Sequence, residues 1–174
     1  MRKPLRKVAL GTLLGVGGGL TVSGFPRRVG LTKAQALVSM PGDLILATAN
    51  ASADRVATFE ASREVIWPLV EDLLSEYADL WDVPLQVVYR EDGELVAVVT
   101  DFLSIDQDPN EAYFQGSVAV RLTAPSDQSC SVHVRERYLS SGTRPAVAVR
   151  VAMSKSALTF KRWAGRVRRE LRGL

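Results

Sequence analysis

Few side chains in this sequence are of types that could carry out acid–base or nucleophilic chemistry. The single histidine, His133, alternates with Arg135 and Arg137, so we expect it on the solvent-facing side of a strand. To act as a general base it would need a substrate or nucleophile within hydrogen-bond reach and a partner that orients its ring. The single cysteine, Cys130, begins the same strand and lacks the positive surroundings that activate a thiolate. We therefore predict no catalytic residue, and a binding function is favoured over an enzymatic one.

Metal binding is disfavoured as well. One histidine and one cysteine are too few for a zinc site built by the protein alone, which usually takes three or four nitrogen or sulfur ligands. Acidic residues cluster at Asp101, Asp106, Asp108 and Glu111, but without the spacing of a calcium-binding loop, so a solvated turn explains them better. We expect no metal and no cofactor.

Glu136 is the best polar candidate for contact with a ligand. Within 130–139, alternation predicts that Val132, Val134, Glu136 and Tyr138 face inward. A buried charge needs a partner, so Glu136 is expected either to be paired or to lie at the mouth of a cavity. Large apolar residues are candidates for the lining, with ordinary core packing as the alternative for each. The predicted ligand-binding set is Trp81, Phe102, Phe114, Glu136, Tyr138, Met153 and Phe160.

The elements that must position these residues follow from the hydrophobic periodicity. A short helix is predicted at 31–39, a strand at 54–60, and then a helix that begins at Ser62, contains Pro68 and ends after Trp81. Strand-like runs follow at 85–90, 94–103, 112–122 and 130–140, and a helical pattern occupies 145–171. This order predicts an α+β fold in which a long C-terminal helix covers an antiparallel sheet and leaves space for a ligand between them.

The order of elements and the segment VATFEASREVIWPLVEDL resemble the START / Bet v 1-like superfamily, also called SRPBCC or polyketide cyclase-like proteins. Its members place a Val-Trp feature at the start of the first helix, and the matching residues here are Val56, Thr58, Glu60, Ala61, Val65, Ile66 and Trp67. The preceding VGLTKAQALVSMPGDLIL resembles the lead-in of an actinobacterial-type subgroup with a hydrophobic N-terminus. The resemblance covers about residues 30–172 and implies a helix-grip fold, a curved antiparallel sheet wrapped on the C-terminal helix.

The N-terminus has the composition of a targeting or anchoring segment. A basic stretch, MRKPLRK, precedes the uncharged residues 8–25. We predict a hydrophobic helix that anchors the chain in a membrane, on a side left open; a cleaved signal or a packed terminal segment is the alternative. The expected organisation is an N-terminal segment at 1–30 and a ligand-binding domain at 31–174, with a soluble cytoplasmic protein as the alternative localisation.

The charge is mild overall and uneven along the chain. The net charge is +3, while KRWAGRVRRELR near the C-terminus is strongly basic. A solvated face explains this segment, with contact with an anionic membrane surface as the alternative. No aromatic platform interleaves with the arginines, so we predict no nucleic-acid partner.

These observations favour binding or carriage of a hydrophobic small molecule or lipid in a cavity between the sheet and the C-terminal helix, near a membrane. Two alternatives stay open. A cyclase/aromatase-type enzyme would need a positioned acid–base pair inside the cavity. An interaction module would fill the cavity with its own side chains and present an exposed apolar patch.

Overall fold

The computed structural model describes residues 27–31, 37–81, 84–99, 114–141 and 143–173. The predicted anchor at 8–25, the acidic cluster at 101–111 and Phe102 lie outside these residues, as does most of the short helix predicted at 31–39. Within the described ranges, no helix is both long enough and apolar enough to cross a membrane.

The order of elements agrees with the periodicity of the sequence. The strands are β1 (Arg28–Val29), β2 (Ala51–Phe59), β3 (Leu85–Glu91), β4 (Glu94–Val99), β5 (Phe114–Ser126) and β6 (Ser129–Ser140), and the helices are α1 (Arg63–Trp81) and α2 (Thr143–Leu171). Helix α1 begins where the Ile66 N–H donates to the Ser62 carbonyl at 3.2 Å. Helix α2 has 29 residues and is therefore about 44 Å long.

The six strands form one sheet in the order β1-β2-β6-β5-β4-β3. All neighbours pair antiparallel except β1, which runs parallel to β2 and pairs Arg28 with Asp54 and Val29 with Arg55. The antiparallel sheet predicted from the sequence is therefore found among β2 to β6, whereas β1 makes the sheet mixed. A strand of two residues is too short to produce an alternating pattern. Strand β1 also lies within the segment 1–30 that was assigned outside the domain.

One face of the sheet packs against both helices and forms the main core. Val132 and Val134 of β6 are buried there, which confirms the side that alternation predicts for them, and Val118 and Val120 of β5 are buried beside them. Helix α2 is tied to α1 by Trp163, whose Nε1 donates to the Leu69 carbonyl at 3.0 Å. A mixed sheet covered by a long C-terminal helix is the helix-grip arrangement that the sequence predicts.

The opposite face of the sheet, called here the outer face, is covered by residues 37–50, the covering segment. Arg135 donates to the Val38 carbonyl at 2.9 Å and to Asp43 at 2.8 Å, and Met40 packs among Val96 and Ala119. The sequence correctly predicted the face of His133, Arg135 and Arg137 but wrongly predicted that it is open to solvent. Arg135 is only 5% exposed and His133 15%, because the covering segment lies over them.

Candidate functional site

Five polar side chains meet in the interior between the sheet and the two helices. They are Arg55 from β2, Glu136 and Tyr138 from β6, Tyr77 from α1 and Ser156 from α2, and all are buried. Strand alternation explains the contribution of the sheet, since Arg55 shares a face with Ala57 and Phe59, and Glu136 shares one with Val132 and Val134. We call these five residues the buried polar cluster.

Arg55 lies at the centre of the buried polar cluster. Its Nη2 donates to the Met153 carbonyl at 2.9 Å and to Ser156 Oγ at 3.0 Å. Its Nη1 lies 2.6 Å from Glu136 Oε1, a close ion pair that lacks the angle of a hydrogen bond. Both side chains are 0% exposed, so the two charges compensate each other without solvent.

The Glu136 carboxylate is contacted from three sides. Its Oε2 accepts hydrogen bonds from Ser156 Oγ at 2.8 Å and from the Tyr138 hydroxyl, and its Oε1 faces Arg55. The Tyr77 hydroxyl completes the cluster and donates to the Ser156 carbonyl at 3.5 Å. Of the two arrangements that the sequence left open for Glu136, the structure therefore has the paired one.

Burial dominates the titration of the cluster. It raises the pKa of Tyr77 and of Tyr138 well above the ordinary value, and the negative charge of Glu136 raises both further. For Arg55, burial lowers the pKa, but Glu136 and the two tyrosines oppose this and the net shift is upward. Both tyrosines therefore stay protonated and Arg55 stays charged at neutral pH, which leaves neither tyrosine ready to act as a base.

Trp81, at the C-terminal end of α1, lies beside this cluster. Its ring is 5.8 Å from the ring of Tyr77 and 5.8 Å from that of Tyr138, measured between centroids. Among the residues that the structure describes, its Nε1 is buried without a hydrogen-bond partner, and the same holds for Arg55 Nε. Trp81 packs against a small apolar cluster formed by Ala53, Tyr138, Val149 and Met153.

The structure brings four of the seven predicted site residues together: Trp81, Glu136, Tyr138 and Met153. Phe160 lies in the main core, 5.7 Å from Trp163 between ring centroids. The backbone of Phe114 pairs with Ser140 at the start of β5, and Phe102 lies outside the described residues. Contact of any of the seven with a ligand stays a prediction.

Sequence reasoning missed three members of the buried polar cluster. Arg55 could have been found, because it precedes Ala57 and Phe59 by even steps and Glu136 required a partner. Tyr77 follows Val70 and Leu73 in the apolar stripe of α1, a position that indicates core packing and gives no sign of a polar role for its hydroxyl. Nothing in the sequence around Ser156 marks it as a partner of a charge on another element.

The remaining reactive side chains lie elsewhere. Cys130 is buried in the main core, and burial raises the pKa of its thiol, which disfavours the thiolate. His133 has an orienting partner, since its Nε2 lies 2.9 Å from Asp54 Oδ1, but the pair belongs to the outer face. In the part of the chain that the structure describes, no group of three or more His, Cys, Asp or Glu residues could hold a metal ion.

No family model matches the chain, and no curated protein matches it. Similar solved structures include a START superfamily protein from Mycobacterium smegmatis, at 10% identity and a TM-score of 0.47, covering 69% of this chain and 98% of that one. A protein from Thermobifida fusca has 13% identity and a TM-score of 0.44, covering 66% and 91%. The Zhui aromatase/cyclase from Streptomyces sp. R1128 has 15% identity and a TM-score of 0.28, covering 62% and 93%.

All of these TM-scores are below 0.5, so function has to be argued from the residues of this chain. The order of its elements and the long helix across its sheet are those of a helix-grip fold.

Proposed function

We propose that the protein binds and carries a neutral hydrophobic small molecule or lipid, held between the sheet and α2 at the end of the interior where Trp81 lies. The observation that supports this most directly is the indole N–H of Trp81. It is buried beside apolar side chains and has no hydrogen-bond partner among the described residues.

A buried donor without a partner is costly, at about 1–3 kcal/mol. An oxygen acceptor on a ligand would remove this cost by accepting the Trp81 N–H. The apolar body of the ligand would contact Met153 and Val149, which already pack together beside Trp81. If the ligand buried roughly 300 Å² of apolar surface, the hydrophobic contribution would be about 7 kcal/mol before the costs of association.

The buried polar cluster supports the proposal that the ligand carries no net charge. Arg55 and Glu136 neutralise each other, so an added carboxylate or ammonium group would find no free counter-charge there and would have to be desolvated. A hydroxyl, carbonyl or ether oxygen fits this environment better. In this proposal Trp81 orients the ligand, and Tyr138 and Met153 line the site. Glu136 holds the Tyr138 ring in place by accepting a hydrogen bond from its hydroxyl.

The first test is to purify the full chain under native conditions and look for a bound small molecule by native mass spectrometry. A stoichiometric apolar compound, identified after solvent extraction, is the expected result. An empty chain whose melting temperature does not respond to a panel of lipids would instead favour an interaction module with a filled interior.

The second test uses Trp81→Phe, which keeps an aromatic ring but removes the N–H. We expect affinity for the extracted ligand to fall about tenfold, which corresponds to about 1.4 kcal/mol. Trp67→Phe is the matched control, because Trp67 packs against the main core instead of the proposed site. Unchanged affinity of the Trp81→Phe variant would exclude the proposed hydrogen bond.

A cyclase/aromatase-type enzyme is the second candidate, and the Glu136–Tyr138 pair inside the fold is the observation in its favour. The carboxylate already receives contacts from Arg55, Ser156 and Tyr138, which leaves little room for it to take a proton from a substrate. Carriage is therefore the better-supported function. Incubating the extracted ligand with fresh protein distinguishes the two, since conversion to a product of different mass or absorbance would favour the enzyme.

The proposal includes a location at a membrane, held there by residues 8–25. Fractionation of cells that express the full chain tests this part separately. The intact chain should stay with the membrane after washing with salt and carbonate, and its release by either wash would contradict the anchor.

A further inference from the structure

The exposed face of α2 combines aliphatic and basic side chains in one continuous stripe. Val147, Val151 and Leu158 are exposed by 53%, 48% and 47%. Their spacing of four and seven residues places them on the same side of the helix. This face is opposite to the one that buries Val149, Met153 and Phe160 in the interior.

Basic residues fill the remaining positions of this stripe. Lys155 lies four residues after Val151, Arg162 lies four residues after Leu158, and Arg169 lies seven residues after Arg162. All three side chains are exposed. Within the described ranges none of these three forms an ion pair with a carboxylate. The one acidic residue of α2 is Glu170, against the basic residues Arg144, Arg150, Lys155, Lys161, Arg162, Arg166, Arg168 and Arg169.

Two contacts fix the C-terminal end of this face. Arg168 donates to the Thr58 carbonyl at 3.3 Å and lies over the ring of Phe59, with its guanidinium carbon 5.4 Å from the centroid. Beside it is a surface cleft of about 240 Å³, lined by Thr58, Phe59, Glu60, Arg168, Leu171 and Arg172. The cleft therefore combines the positive charges of Arg168 and Arg172 with the carboxylate of Glu60.

We propose that the stripe Val147, Val151, Lys155, Leu158, Arg162 and Arg169 docks on the surface of a bilayer that contains anionic lipid. Charge complementarity is the main argument, because a row of unpaired cations attracts an anionic surface. The aliphatic side chains in the same row would enter the boundary between headgroups and acyl chains, as on other interfacial helices. An acidic protein surface would satisfy the cations but would not account for the aliphatic residues between them.

The position of the stripe gives this docking a role. Val147 and Val151 alternate along α2 with Val149 and Met153, which face the apolar cluster beside Trp81. A bilayer on the outer side of this half of the helix would therefore lie one helix diameter from the proposed ligand, about 10 Å away. The docking itself does not depend on the identity or presence of that ligand.

The test uses the full chain and a local reporter, because residues 1–25 could tether the protein to any vesicle. An environment-sensitive fluorophore is attached to Leu158→Cys, while Cys130 is buried and remains unlabelled. We expect a blue shift and a rise in emission with vesicles of phosphatidylcholine and phosphatidylserine in equal parts. Phosphatidylcholine alone should produce little change, and added salt should reverse the shift.

Two comparisons make the result decisive. Charge reversal by Arg162→Glu and Arg169→Glu together should weaken the response roughly tenfold or more. Arg63→Gln with Arg90→Gln, which removes one partly buried and one exposed charge outside α2, should preserve it. A fluorophore at Val87→Cys on β3 should not shift. The proposal is overturned if the label at 158 stays in water while the chain sediments with anionic vesicles, if charge reversal has no effect, or if the label at 87 responds equally.

Discussion

Replacing Glu136 by glutamine should strongly destabilise the fold. The side chain keeps its size but loses its charge, which leaves the Arg55 guanidinium buried at 0% exposure without a counter-ion. Removing one partner of a buried ion pair costs about 3–5 kcal/mol. No discount for solvent screening applies, since neither group reaches water. For a chain of this size, the melting temperature should fall by roughly 6–20 °C.

The assay is urea unfolding of the full chain, followed by circular dichroism. Arg55→Met should show a similar loss, because it leaves the Glu136 carboxylate unpaired. The double variant Arg55→Met/Glu136→Gln should lose at least about 2 kcal/mol less than the sum of the single losses, since each single variant leaves a buried charge that the double variant lacks.

The exposed pair Arg90–Glu71 provides a control within the same chain. Its atoms are 2.8 Å apart, but its side chains are 47% and 58% exposed. Arg90→Met should therefore cost less than about 1 kcal/mol. If Glu136→Gln unfolds at the same urea concentration as the unmodified chain, or if the losses of the Arg55 and Glu136 variants are additive, the reasoning about the buried pair is refuted.

Three further predictions follow from burial and backbone geometry. Burial raises the pKa of Tyr77 and Tyr138, so the contribution of their protonated hydroxyls to the free energy of unfolding is complete below the unfolded pKa near 10. Above that pH it falls by about 1.4 kcal/mol per pH unit for each tyrosine. Tyr138→Phe should remove one of the two contributions, and an unchanged loss of stability at alkaline pH would contradict this. Cys130 should react with thiol reagents only as fast as the chain opens, so rapid labelling of the native protein would argue against its burial. Gly42→Ala should lower the free energy of unfolding in urea by more than about 1 kcal/mol, because Gly42 has a φ of +77° and an added Cβ would lie 2.7 Å from Val96 Cγ1. Gly165→Ala is the control: its added Cβ would meet no atom nearer than 3.7 Å, so it should be neutral or stabilising.

Elements with strong local periodicity were predictable from the sequence. The alternation around Val132 and Val134 predicts the correct face of β6. Apolar residues at helical spacing from Ile66 to Tyr77 likewise mark the side of α1 that is buried. In both, each residue's side follows from its position relative to its neighbours in the chain. The same local pattern placed Glu136 and Tyr138 inward, where the structure has them.

Contacts between distant segments were not predictable in the same way. Residues 40–50 show no hydrophobic period, so the position of the covering segment across the outer face and the burial of Arg135 beneath it could not be inferred. The partner of Glu136 depended on β2 and β6 being neighbours, which requires knowledge of the strand order. The local sequence indicated that Glu136 needs a positive charge, but not that Arg55 supplies it.

The two ion pairs that join β2 and β6 also specify how these strands align. Consecutive residues Asp54 and Arg55 point to opposite faces, where Asp54 meets Arg135 at 2.7 Å and Arg55 meets Glu136 at 2.6 Å. A slip of one residue would turn the Asp54 carboxylate into the apolar interior and the Arg55 guanidinium toward the outer face, so that both ion pairs would be lost. Because 81 residues separate Asp54 from Arg135, this pairing closes a long loop and is expected late in folding. The four charges therefore favour the native alignment of β2 on β6 over a one-residue slip, at a step that brings together strands far apart in the chain.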